Sequence, residues 1–498
     1  MPDTARQTAT TLQDVLRFDN RFARLPERFY SRVNPTPFEA SHHLVSFNPD
    51  VARLLGIAPD SVAPDEWIDL ISGHCLPAGC EPLAMLYAGH QFGHFVPQLG
   101  DGRAILLGEV SNPQGEKYDI QLKGSGLTPY SRNADGRAVL RSTIREYLCS
   151  EAMHGLGIPT TRALAIVGSD AEVYREQIET GAILARVAPS HVRFGSFEVF
   201  YHRKQHDAVQ QLADHVIAEH YPGLATHDKP YVALLEEVVR RTARLIAQWQ
   251  AVGFAHGVLN TDNMSILGLT LDYGPFGFVE QYQPGYICNH SDFHGRYAFD
   301  QQPGIGLWNL NRLAQTLIPL ISVDEAKAAL EQYEPLFVDH YLELMHAKLG
   351  LNNNDDTTQE LISDLLSAMQ ANQVDYTRLF RALCDFDSHP EARNEAIRNL
   401  FVEREAFDSW AQQYRRQLER EQSDDASRRE AMRKVNPKYV LRNYMAQIAI
   451  DKAQQNDFSE VEKLLEILRY PFAEHPDMDH YAGEPPQWAN QIEVSCSS

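Results

Sequence analysis

The stretch HGVLNTDN, residues 256–263, sets His256, Asp262 and Asn263 at spacings suited to phosphate chemistry. In phosphotransferase loops of the form His-x-Asp-x-x-x-x-Asn, the Asp takes the acceptor's proton and the Asn holds a divalent metal. His256 and Asn263 keep that spacing, but Val258 fills the Asp position and can neither accept a proton nor bind a cation. Asp262 is the nearest carboxylate in the chain and becomes the candidate general base. Its plainer reading is a turn or cap residue. Asp272 follows in LDYGPFG, nine residues beyond Asn263. The intervening MSILGLTLD reads as a short strand pair that would bring an amide oxygen and a carboxylate together. Such hard oxygen donors suit Mg²⁺ or Mn²⁺.

Upstream lie the groups that would hold a nucleotide. Lys123 ends the strand YDIQLK and adjoins Gly124 and Gly126. Alone it would read as a solvated strand lysine; Glu146 on the next helix supplies the partner that turns it into a phosphate grip. Gly100, Gly102 and Arg103 form the string GDGR, and Asp135, Gly136 and Arg137 repeat Asp-Gly-Arg before that helix. Each could be a plain turn; together near one lysine they suggest a nucleotide cradle. Arg186 and Arg193 are either surface residues or a pair of planar forks for phosphate oxygens. The order glycine turn, strand Lys, helix Glu, His–Asn loop, Asp-Tyr-Gly is that of nucleotide phosphotransferases. Three readings stay open: transfer of a nucleotidyl group, a kinase with Asp262 as substitute base, or a silent nucleotide-binding scaffold.

The remaining reactive side chains say less. His90 and His94 in GHQFGH have metal-like spacing, but no third ligand or HExxH glutamate accompanies them, so a structural reading is preferred. The six cysteines include no CxxC pair, which argues against a zinc site or a thioredoxin-like motif and for a reducing compartment. Cys288 and Cys496 are the candidate redox pair; the alternative is a buried thiol and a frayed tail.

These groups need a frame. The chain has 498 residues, 43% of them hydrophobic, enough for a large core. With 45 Lys and Arg against 67 Asp and Glu the net charge is −22, which argues against nucleic acid or an anionic membrane as partner. No apolar run suits a membrane span or secretory signal, so a cytoplasmic protein is expected. Residues 1–82 read as an irregular leader with one short helix, PDVARLLGI. Strands are expected at 95–99 and 104–109 with GDGR as the hairpin turn between them, at YDIQLK, and at ALAIVGS, AEVYRE and GAILARVA. One helix, about 138–156, interrupts them. A helix at about 230–252 delivers the opening motif, and amphipathic helices dominate beyond 322.

Longer strings carry a resemblance. YAGHQFGHFVPQLGDGRA, QLKGSGLTPYSR, DGRAVLRSTIREYL, HGVLNTDNMSILGLTLDYGPFGF, SDFHGRYAFDQQP, WNLNRLA, NPKYVLRNY and the terminal CSS run from about residue 87 to the end. In these the chain resembles the selenoprotein O, or YdiU, family of pseudokinase-like protein adenylyltransferases. The resemblance implies an α+β, protein-kinase-like bilobal fold: a leader (1–82), a β-rich N-lobe with one helix (83–200), a helical C-lobe (201–322) and a helical extension with tail (323–498). It implies ATP bound in reversed orientation and AMP transferred to Ser, Thr or Tyr hydroxyls of proteins, with Mg²⁺ or Mn²⁺ and with UTP as a further substrate. The implied nucleotide contacts are Gly100, Gly102, Arg103, Lys123, Asp135, Gly136, Arg186, Arg193 and Asp272. The implied base is Asp262 and the implied metal ligands are Asn263 and Asp272. Cys496 stands where animal members carry selenocysteine. Proteins are the implied partners, and a monomer is expected.

Overall fold

A computed structural model describes residues 11–495. A mixed α/β molecule results, with one large antiparallel sheet and an extensive set of helices. The strands are β1 (Tyr30–Arg32), β2 (His42–Phe47), β3 (Leu83–Met85), β4 (Gly89–Gln91), β5 (His94–Val96), β6 (Ala104–Ser111), β7 (Lys117–Lys123), β8 (Ala138–Val139), β9 (Arg162–Tyr174), β10 (Ile178–Ala188), β11 (Phe254–Ala255) and β12 (Gly277–Phe278). The sheet order is β1-β3-β6-β7-β10-β9-β2, with β8 on β10.

Alternation along β7 divides its side chains between two faces. Ile120 and Leu122 join Val51, Trp67 and Ile71 in a core on one face. Asp119, Gln121 and Lys123 take the other face and are buried there too. The helix Leu140–Gly155 packs against β9 and β10 and carries Glu146. Its C-terminal half lies against the helix Ser459–Arg469, so late chain segments support an early one. A Cβ on Gly155 would stand 2.1 Å from the carbonyl of Leu468, which shows how close the two backbones come.

The helix Pro230–Val252 begins with proline and ends at Gly253, whose φ of 76° only glycine adopts freely. It hands the chain to β11. β11 pairs with β12 as Phe254↔Phe278 and Ala255↔Gly277, so two rungs close both ends of the segment that carries His256 to Asp272. A second core, with Tyr376, Trp410 and Tyr414, lies under the later helices. No helix among the described residues is long and apolar enough to cross a membrane.

Several expectations need correction. The leader is not irregular: β1 and β2 are the two outer strands of the main sheet, and Pro49–Leu54 and Pro64–Ser72 are helical. GDGR is not a hairpin turn, because β5 pairs with β4 whereas β6 pairs with β3 and β7. ALAIVGS and most of AEVYRE are one strand, β9; at the Gly168-Ser-Asp string it shifts register against β10 while Gly168 and Ser169 stay paired with β2. MSILGLTLD does not form a strand pair; Ser265 and Thr270 make isolated bridges to Arg193 and Thr160 instead.

Candidate nucleotide site

A cleft of about 490 Å³ opens between the β7 face and the 256–276 segment. Gly100, Gly102, Arg103, Lys123, Arg186, Arg193, Asp262, Asn263 and Asp272 all line it. Glu146 stands directly behind Lys123, with Nζ to Oε2 at 2.5 Å. Arg186 binds the same carboxylate, Nη2 to Oε2 at 3.0 Å, and reaches on to Asp272 Oδ1 at 2.6 Å. Gln121 takes the other end of the Arg186 guanidinium at 3.0 Å. Arg193 bonds the second oxygen of Asp272 and also donates to the main-chain carbonyl of Asp262 at 2.7 Å. A chain of alternating charge thus runs Lys123–Glu146–Arg186–Asp272–Arg193.

The electrostatics follow from this order. Burial opposes ionisation of Asp272, yet Arg193, Arg186 and Lys123 outweigh it and hold the carboxyl well below its usual range. Burial likewise opposes the Glu146 charge, and Arg186 and Lys123 again win, keeping it ionised. For Lys123 burial prevails over Glu146, drawing the ammonium down to about 8. Asp272 adopts φ 59°, a left-handed backbone that few non-glycine residues accept and that clusters at functional sites.

Asp262 differs from its neighbours. Burial pushes its carboxyl up to about 7, against the Gln91 hydrogen bond and Arg193. Gln91 Nε2 donates to Oδ2 at 3.1 Å, whereas Oδ1 is buried with no protein partner. Asp262 lines the cleft, and a carboxyl raised toward neutrality with one oxygen unbonded suits a proton-accepting group. His256 orders the loop from behind. Its Nε2–H donates to the carbonyl of Leu271 at 2.9 Å while Nδ1 accepts from the Val258 N–H, which fixes the neutral tautomer and ties the loop to the residue before Asp272.

Asn263 donates its amide N–H to the Val258 carbonyl at 2.9 Å, which turns the amide oxygen the other way. Asn263 and Asp272 both line the cleft and carry hard oxygen donors, those of Asp272 being held by Arg186 and Arg193. The residues present therefore fit Mg²⁺ or Mn²⁺ better than a thiophilic ion.

Asp135 does not join the cleft. It is exposed, pairs with Arg175 at 2.8 Å and receives the Arg137 N–H. Gly136 braces the loop from outside: its carbonyl accepts from Gly126 N at 3.1 Å, and any Cβ there would meet the Gly126 carbonyl at 2.1 Å. Tyr130, Ser131, Arg132 and Ala134 are the members of that loop that line the cavity. Gly100 and Gly102 lie against Tyr130, whose ring and carbonyl would block a side chain at either position. His94 is exposed on β5, while His90 is buried and bonded to Glu198. Cys288 is buried with Sγ 3.5 Å from the Ala255 carbonyl, and Cys496 lies outside the described residues.

Sequence reasoning missed Tyr87, Gln91 and Asp101. The Tyr87 ring lies under the Arg193 guanidinium, 4.7 Å to the centroid. Gln91 hides between the two histidines that drew attention in GHQFGH. Asp101 sits inside GDGR, accepting from Met85 N at 3.0 Å and Gln121 Nε2 at 3.3 Å.

A buried lysine–glutamate pair and an arginine-clamped aspartate line one cleft, and comparison with known proteins gives the class. A family model described as protein adenylyltransferase SelO matches residues 13–469. A protein nucleotidyltransferase YdiU of Myxococcus xanthus (strain DK1622) is 59% identical over 485 residues, 97% of this chain and 99% of the relative. Its namesake in Thiobacillus denitrificans (strain ATCC 25259 / T1) is 57% identical over 486 residues, again 97% and 99%. That of Aliivibrio salmonicida (strain LFI1238) is 52% identical over 488 residues, 98% of this chain and all of the relative. The chain is an enzyme of the nucleotidyltransferase class, acting on a nucleotide. It belongs to the SelO family of protein nucleotidyltransferases.

Proposed function

We propose that the protein transfers AMP from ATP to a Ser, Thr or Tyr hydroxyl of other proteins, with UTP as a second donor. The observation that carries this is the displaced base. Val258 removes the carboxylate from its kinase position, and Asp262, a carboxylate with one oxygen unbonded, lines the same cleft. A base moved along the loop fits a nucleotide held in reversed orientation within a kinase-like bilobal frame, with its α-phosphate toward the acceptor.

The Asp262 carboxylate takes the hydroxyl proton as the oxygen attacks the α-phosphorus. The bond from that phosphorus to the bridging oxygen breaks, and pyrophosphate leaves. Arg186 and Arg193 turn from Asp272 toward the β- and γ-phosphates, and Lys123 holds its position through Glu146. Asn263 and Asp272 are the residues that would hold a divalent ion, whose charge would neutralise phosphate oxygens. Positioning and charge compensation then supply most of the rate enhancement.

ATP labelled at the α- or the γ-phosphate separates this from a kinase. Label on protein from α-ATP alone, lost in Asp272→Ala, supports nucleotidyl transfer. Label from γ-ATP alone makes the protein a kinase with Asp262 as base.

A further inference from the structure

We propose a second metal site, distinct from the Asn263/Asp272 pair, formed by His90, Glu198 and His202 and suited to zinc. One ligand atom from each lies within 4.8 Å of the others. Glu198 and His202 share a face of the helix Phe194–His202 at i,i+4 spacing, and β4 brings His90 to them. Two imidazoles and one carboxylate are a zinc donor set that leaves one position open. Sequence reasoning stopped at His90 and His94 for want of a third ligand; folding sets His94 aside and supplies Glu198 and His202.

The carboxylate argues for a cation. Glu198 is fully buried, and no lysine or arginine pairs with it among the described residues. Buried carboxylates are ordinarily paired or bound to metal. Its oxygens go to His90 Nδ1, at 2.6 Å, and to the Thr261 hydroxyl, at 2.5 Å. On a tetrahedral zinc with bonds of about 2.1 Å, neighbouring donor atoms stand roughly 3.4 Å apart. The His90–Glu198 pair therefore needs to open by less than about one ångström, the ion replacing the proton now between the two atoms. Phe95 flanks both rings, at 5.1 Å from His90 and 4.0 Å from His202, and Trp308 meets His90 edge-on at 5.3 Å. His202 is exposed, so the open position faces water or a further ligand.

The site would anchor the base. Thr261 precedes Asp262, and its hydroxyl bonds both Glu198 and the His90 N–H, the latter at 2.7 Å. Gln91, the residue after His90, donates to Asp262. An ion here would fix the loop and the β4 hairpin on both sides of Asp262 without touching the nucleotide.

The test uses the full-length chain, stripped with a chelator and titrated with zinc chloride alone, then with cobalt(II) chloride. Bound zinc is counted by elemental analysis after desalting. The expected result is one retained zinc per chain and the intense visible bands of tetrahedral cobalt. His202→Ala and His202→Phe, which alter an exposed side chain, should weaken zinc binding at least tenfold and abolish those bands; the Phe variant keeps the ring stack on Phe95. Zinc should raise the melting temperature of the parent chain and not of either variant. Retention no greater than a chelated blank, equal retention by parent and variants, or only the weak spectrum of octahedral cobalt overturns the site. No nucleotide or acceptor is present, so failure of the adenylyl-transfer reading would not alter the outcome.

Discussion

Gly89 leaves no room beside Asp262: a Cβ there would stand 2.4 Å from Oδ1 and 2.8 Å from the aspartate's own Cβ. The strand presses against Asp262 and sets where its carboxylate sits. Gly89→Ala is therefore expected to displace Asp262 while leaving the arginine–Asp272 contacts in place. Misplacing a reacting group by about an ångström costs on the order of 100-fold in rate. Steady-state kinetics should show that loss in kcat, with nucleotide affinity by calorimetry nearly unchanged.

Removing the base itself gives a sharper contrast. Asp262→Asn keeps the Gln91 contact and the shape but cannot accept a proton. General base catalysis contributes about 10²- to 10⁴-fold, so adenylyl transfer should fall by that factor. Binding of ATP, measured separately, should stay within a few-fold of the parent.

Asp272→Ala acts on stability as well as chemistry. It leaves Arg193 buried without its ion-pair partner, against the Asp262 carbonyl, the Tyr87 ring and the field of Asp101. Breaking a buried ion pair costs about 3–5 kcal/mol; Asp272 is 23% exposed, so the lower end is expected. Unfolding in urea should show the loss, and a nucleoside triphosphate should restore part of it by giving the arginines a new anion.

Asp135 supplies the negative control. Its pair with Arg175 is exposed and outside the cleft, and exposed pairs contribute about 0–1 kcal/mol. Asp135→Ala should change ATP affinity by less than about fivefold, where Arg186→Ala, inside the cleft, should abolish measurable binding.

Lys348 predicts a pH dependence of stability. It is buried over the Phe380 ring at 4.2 Å, with no carboxylate partner among the described residues. Burial, opposed by Cys384, brings its ammonium from 10.5 down to about 7. The unfolded chain thus binds the proton more tightly than the folded one. Stability is greatest above the unfolded value and falls as pH drops from about 10 toward 7, then levels off. A tenfold difference in proton affinity between the two states corresponds to about 1.4 kcal/mol. Lys348→Met should therefore stabilise the protein at neutral pH by on the order of a few kcal/mol and flatten that slope in denaturant titrations.

The parts of the site that were legible in the sequence are those written along one strand or loop. Lys123 at the end of an alternating strand, and Asn263 and Asp272 around one loop, have local signatures, and the fold brings them into one cleft. The helix at 138–156 was equally plain, its bounds settling at Leu140–Gly155. What stayed hidden depends on pairing across long separations. β1 has three residues, too few for a period to show, and it is a strand only because β3 lies beside it. Tyr87 and Gln91 belong to the site because β4 meets the loop after Asn260, a contact no spacing announces. The second Asp-Gly-Arg string differs from the first in its surroundings, and Asp135 lies beside Arg175 outside the cavity lining.

The packing of the helix Ser459–Arg469 against the helix that carries Glu146 has a consequence along the chain. Lys123, Arg186, Arg193 and the 256–276 segment all precede residues 459–469 by nearly two hundred positions or more. Until that last helix docks, the Glu146 helix lacks part of its floor. Removal of residues 459–469 is therefore expected to loosen the helix that carries Glu146, and with it the hold on Lys123.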